Sequence, residues 1–125
     1  LYAAEQKILS NGEQSVDANK NNFDTTFFED VRGKFIPRSI FADTEESVID
    51  QIRIGEYANL YNPSRLISTK EDAANNYARC YYGLSKLLNP LVEEVARKTV
   101  ETCESLQGFM FYSSLGGGTG SSFVP

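Results

Sequence analysis

The chain of 125 residues contains no histidine and no tryptophan, only two cysteines and a single methionine. Without histidine there is no Ser-His-Asp triad, no Cys-His nucleophile pair and no His-ligated zinc or haem. Two cysteines are too few for a disulfide framework or a four-cysteine metal site. Positive charge is also scarce. Twelve Lys and Arg against 17 Asp and Glu give a formal net charge of -5, with a pI near 4.7. A nonspecific nucleic-acid binder needs surplus basic residues to displace counterions, so no nucleic-acid partner is expected. No apolar run approaches the roughly 18 residues of a membrane-spanning helix, so no membrane span is expected either. What the chain does have is 41% hydrophobic residues, too many for a disordered acidic tail.

Helical and strand periodicities alternate along the chain. Residues 1–9 read as helix, with Leu1, Ala4, Ile8 and Leu9 near one face, although no N-cap residue precedes them. Gly12 is placed to end that helix as a C-cap. Residues 10–25, rich in Ser, Asn, Asp and Gln, read as exposed loop. Residues 35–42 are a short strand candidate whose first half is weakened by Pro37. Val48, Ile49 and Ile52 carry a helix over 47–54 that stops at Gly55. Asn62-Pro63 makes 57–69 a loop with at most a turn of helix.

The longest periodic signal runs over 76–103. Tyr77, Tyr81, Leu84, Leu88, Leu91 and Val95 step by fours and threes, with Glu93, Glu94, Arg97 and Lys98 facing outward. Pro90 lacks a backbone donor and crowds the preceding turn, which predicts a kink or a break. On a continuous helix Cys80 and Cys103 lie on the order of 34 Å apart, against the about 7 Å that a disulfide tolerates. Both are therefore expected to be free thiols, as suits a reducing, cytosolic setting. Phe109, Met110, Phe111 and Tyr112 then make 106–115 a buried strand. A glycine loop and a helix starting near Gly120 follow. This order is an α/β pattern with parallel strands.

Three segments can carry chemistry. Gly116-Gly117-Gly118-Thr119-Gly120 lies between the apolar strand and the last helix. Glycines let backbone N–H groups close on a phosphate, the helix start adds partial positive charge, and Thr119 and Ser114 offer hydroxyls. No Lys-Ser/Thr follows, so this is not a Walker A loop, and the spacing is not that of a dinucleotide fingerprint. The alternative is a flexible Gly/Ser linker. Asp43-Thr44-Glu45-Glu46 follows a strand. Its carboxylates stand at the edge where such sheets bind ligands and can serve Mg²⁺. The alternative is that Asp43 or Thr44 simply caps the next helix. Residues 70–79, Lys-Glu-Asp-Ala-Ala-Asn-Asn-Tyr-Ala-Arg, open the long helix. Their amides suit phosphate, and an ordinary capped helix start is the competing reading.

The run Gly116-Gly117-Gly118-Thr119-Gly120-Ser121 resembles the signature of the tubulin family, and 70–79 resembles the corresponding loop of its α-type members. Pro37-Arg38, Val48-Ile49-Asp50 and Leu106-Gln107-Gly108-Phe109 extend the resemblance over nearly all of 23–123. The resemblance implies a Rossmann-like parallel sheet flanked by helices, here an incomplete nucleotide-binding (GTPase) domain. It implies GTP phosphates held by Ser114, Gly117, Gly118, Thr119 and Gly120 together with Asp72, Ala73, Ala74 and Asn75. Glu45, with Asp43 nearby, is implied for Mg²⁺. No catalytic residue is expected within this chain. The implied partners are β-tubulin in a heterodimer and neighbouring subunits in microtubules, hence a cytoplasmic, cytoskeletal location.

The departures are as specific as the matches. Ser122 stands where the family signature ends in glycine, and Cys80-Tyr81 replaces a Gly-His pair. Asn89-Pro90 interrupts a normally unbroken helix. Tyr81 and Ser113 occupy positions where α-type chains commonly carry His, which accounts in part for the missing histidines. The 10–22 loop is a few residues short, so Lys20 is not equated with the lysine that α-tubulins acetylate. Leu1 is not Met, and the glycine loop falls near the end. The expectation is a piece of a longer protein, lacking the first strand and the later part of its domain. The alternative is a truncated or degenerate tubulin-like chain that binds no nucleotide and acts only as an interaction module.

Overall fold

A computed structural model describes residues 1–15 and 26–123. Lys20 and most of the polar loop lie outside the described residues. The chain divides into two compact units, Leu1–Ser39 with Gln51–Arg65, and Ile40–Asp50 with Leu66–Pro125.

In the first unit, helix α1 (Tyr2–Glu5) is far shorter than the periodicity predicts. Lys7 turns the chain with a φ of 55°, and Ile8 then bridges Gln14 in extended backbone. Gly12, at φ 83°, therefore serves this turn rather than a helix cap. Its carbonyl accepts the Phe35 amide at 2.7 Å. Strands β1 (Phe28–Val31) and β2 (Lys34–Pro37) form an antiparallel hairpin. Arg32 and Gly33 sit at its tip with φ of 58° and 83°, the sign pattern of a two-residue hairpin turn. Asp30 Oδ1 accepts the Gly33 amide at 2.7 Å. Ile8, Phe28 and Leu60 form the core, with Ala3, Phe27, Phe35 and Tyr61 against it. Arg65 is buried and donates to Pro37 O at 2.9 Å and to Glu29 at 2.7 Å.

The second unit holds strands β3 (Phe41–Asp43) and β4 (Leu66–Ser68), paired in parallel. Between them in the chain come helix α2 (Glu46–Ile54), of which residues 46–50 belong to this unit, and a 3₁₀ turn at Pro63–Arg65, which belongs to the first. This is the βαβ order expected of an α/β fold. Pro37 ends β2, so the single strand expected over 35–42 is two strands belonging to different sheets. Strand β4 falls where a loop was expected, because Leu66-Ile67 is too short a run to show a period.

The long helix runs from Tyr77 to Glu101 in three pieces: α3 (Tyr77–Arg79), a π-helical turn (Cys80–Leu84) and α4 (Ser85–Glu101). It passes through Pro90 without the break expected there. The π turn widens the helix, and the buried positions are Cys80, Leu84, Ser85 and Leu88. Tyr77 and Tyr81, expected inside, are exposed and stack on each other at 5.5 Å. On the outer face Glu94 pairs with Arg97 at 3.0 Å and Lys98 at 3.1 Å. Those hydrogen bonds hold the Glu94 carboxyl below its usual range. Cys80 and Cys103 are both free thiols, as the spacing predicts.

Residues 106–115 form no strand, contrary to the reading of their apolar run. The segment is irregular, and Phe111, Tyr112 and Leu115 are 70%, 76% and 94% exposed. A strand needs a neighbour for its backbone groups, and among the described residues none pairs with this segment. Helix α5 (Thr119–Phe123) follows the glycine loop and packs against α3 and the π turn.

Candidate functional site

Three segments far apart in sequence meet within the second unit. The first is the turn after β3. Asp43 Oδ1 accepts the amides of Thr44 at 2.7 Å and Glu45 at 3.3 Å, just ahead of α2. Both amides precede α2, so Asp43 Oδ1 ties this turn rather than capping the helix, with one oxygen committed to backbone. Glu45 is exposed, and its Oε1 takes the Ser47 hydroxyl at 2.5 Å.

The second segment is the Asp72–Asn75 loop. Ala74 and Asn75 both have positive φ, 50° and 58°, inside a turn closed by the Asn76 amide on Ala73 O at 3.0 Å. Asn is tolerated in this region, while Ala is unusual there, so surrounding contacts must hold the turn. Ala73 is 1% exposed and anchors it in a cluster with Cys80 and Leu84. Asn76 caps the long helix, its Oδ1 accepting the Arg79 amide at 3.1 Å. Asp72, Ala74 and Asn75 are left exposed. The capped helix start is present, and these three residues stand exposed ahead of it.

The third segment is the glycine loop. A Cβ on Gly118 would lie 2.7 Å from Ala73 Cβ and 3.0 Å from the Asn76 amide nitrogen. On Gly120 it would lie 3.0 Å from both the amide nitrogen and the carbonyl oxygen of Ser114. Gly117, at φ 91°, faces Asn75 Oδ1. Only glycine permits these approaches. The loop is thus packed, not a free linker. Ser114 Oγ accepts the Gly116 amide at 3.3 Å. Ser122, the departure from the signature, is 3% exposed, and its hydroxyl donates to Gly118 O at 2.6 Å, with Thr119 O at 3.2 Å. The extra hydroxyl is absorbed by loop carbonyls.

Thr44, which the sequence marked only as a possible cap, joins all three segments. It is 1% exposed. Its Oγ1 lies 2.7 Å from Thr119 Oγ1 and accepts the Ala73 amide at 3.3 Å. Its carbonyl accepts from the Thr69 hydroxyl at 3.1 Å. Nothing in the sequence distinguishes this threonine from an ordinary turn residue.

The arrangement suits an anion. The amides that open α5 at Thr119 have no intrahelical acceptor, and Gly116 and Gly117 stay exposed beside them. Among the described residues no group of three or more His, Cys, Asp or Glu could hold a metal ion. A dedicated cage is therefore ruled out within those residues. Glu45 and Asp43 are the carboxylates of this turn, and Asp43 Oδ1 is committed to backbone amides.

Comparison with known proteins gives a concordant picture. The model of the Tubulin/FtsZ family GTPase domain matches residues 1–125. The chain is 46% identical over 127 residues to the tubulin alpha-2B chain of Physarum polycephalum. It is 45% identical over the same length to the tubulin alpha-2 chain of Schizosaccharomyces pombe and the tubulin alpha-A chain of Neurospora crassa. Each match covers 98% of this chain and 28% of the relative.

Proposed function

The chain belongs to the Tubulin/FtsZ family, and we propose that it is part of the GTPase domain of an α-type tubulin, a GTP-binding subunit of microtubules. In this reading residues outside the 125 complete the domain, and the nucleotide serves mainly to hold the subunit's structure. The observation that carries it is the fit of Gly118 against Ala73, which brings the glycine loop onto the Asp72–Asn75 loop. Ser114, Gly117, Gly118, Thr119 and Gly120 on one side, and Asp72, Ala73, Ala74 and Asn75 on the other, cradle the GTP phosphates. The hydroxyls and the backbone amides other than that of Ala73, which Thr44 Oγ1 holds, supply the donors, and exposed Gly117 leaves the approach open. Glu45, with Asp43 alongside, would hold Mg²⁺, which would supply neutralisation of the phosphate charge.

The partner is a β-type tubulin, with neighbouring subunits in the microtubule, in the cytoplasm. The chain itself supplies no catalytic residue. The competing reading, a degenerate chain that binds no nucleotide, rests on the substitutions at Cys80, Pro90 and Ser122. The buried, hydrogen-bonded hydroxyl of Ser122 and the fully buried Cys80 weaken it. Co-expression of the complete reading frame with a β-type tubulin tests the assembly. Co-elution as a one-to-one complex is expected, and a monomer that never joins the β-type chain contradicts the proposal.

A further inference from the structure

We infer that Thr44 is a positioning residue that aims the hydroxyl proton of Thr119 at a phosphate oxygen, through a relay running Ala73 N–H to Thr44 O–H to Thr119 O–H. The inference rests on the phosphate-binding reading above and adds a residue to it.

Proton counting fixes the direction of the relay. The Ala73 amide can only donate, and it occupies one lone pair of Thr44 Oγ1 at 3.3 Å. Thr44 is 1% exposed, so its own proton needs an acceptor inside the protein. Thr119 Oγ1, at 2.7 Å, is the acceptor in reach. Were Thr119 to donate instead, the Thr44 proton would be buried without an acceptor, at the cost of a lost hydrogen bond. With Thr44 donating, the Thr119 proton is released from the interior. Thr119 is only half-buried, so that proton is available to an anion beside the glycine loop. Each donor in such a chain polarises the next, so Thr119 becomes a stronger donor than an isolated hydroxyl. The Thr69 hydroxyl lies 3.1 Å from both the Thr44 and the Glu71 carbonyl oxygens, so its one proton is shared between them at this turn.

The test is nucleotide affinity of the protein expressed from its complete reading frame, with GTP and the nucleoside guanosine as probes. Thr44→Val keeps the branched shape and removes the hydroxyl. It is expected to weaken GTP binding by about 3- to 10-fold and to leave guanosine binding within about twofold, since guanosine carries no phosphate. In a Thr119→Val background the same change is expected to add less than about twofold. Thr44→Ser, which restores the hydroxyl, recovers most of the GTP affinity. Equal losses for GTP and guanosine, or a full loss from Thr44→Val in the Thr119→Val background, overturn the relay while leaving the nucleotide reading intact. Absence of GTP binding by the unsubstituted protein overturns both. If Thr44→Val fails to fold, Thr44→Ser against Thr44→Ala gives the same comparison, and equal GTP affinities for those two overturn the relay.

Discussion

A Cβ placed on Gly118 would stand 2.7 Å from the Cβ of Ala73, closer than real side chains come. The glycine loop and the Asp72–Asn75 turn therefore share one surface, and a methyl group between them forces one to move. Gly118→Ala is expected to lower stability by about 1–3 kcal/mol and to reduce nucleotide retention. Thermal unfolding and nucleotide content, measured on the same preparation, check both effects.

Ser122 and Gly118 form the second tie of the loop. The buried hydroxyl donates to Gly118 O at 2.6 Å, and Ser122→Ala removes that bond. The expected loss is about 0.5–1.5 kcal/mol, as for other buried neutral hydrogen bonds. An unchanged urea midpoint would show that the hydroxyl contributes nothing.

Pro90 is exposed within α4 and cannot donate a backbone hydrogen bond there. Pro90→Ala restores the donor and removes the ring's crowding of the preceding turn. A gain of about 1–3 kcal/mol is expected, read as a higher melting temperature and increased helical signal in circular dichroism.

In the first unit, Arg65→Leu removes the guanidinium that Glu29 meets at 2.7 Å in a mostly buried setting. Arg38, at 3.7 Å from Glu29, remains as a weaker partner. The variant is expected to lose about 2–4 kcal/mol, chiefly because the Glu29 carboxylate keeps its desolvation cost. Arg65→Leu combined with Glu29→Met should recover part of that loss in denaturant titration.

The α/β class, helix α2 with its stop before Gly55 and the free thiols were all legible in the residues. Periodicity failed where geometry departs from an ideal element. The π turn at Cys80–Leu84 moved Tyr77 and Tyr81 outward, although their spacing marks them as core. Strand β4 is too short to show alternation, and Pro37 split one apparent strand between two sheets. The apolar run at 109–112 has strand composition but no hydrogen-bonded neighbour among the described residues. Asp72, Ala73 and Asn75 were singled out through their resemblance to a known loop, and the structure brings that loop onto Gly118. Thr44 was not, because its importance comes from tertiary contacts with Ala73 and Thr119.

In the proposed function the packed glycine loop and the Asp72–Asn75 loop hold the phosphates of a guanine nucleotide. Denaturing the protein purified from its complete reading frame, then separating the released small molecules by chromatography, tests it most directly. Close to one guanine nucleotide per chain is the predicted result. Recovery of no nucleotide, or of a dinucleotide in place of GTP or GDP, would contradict the account.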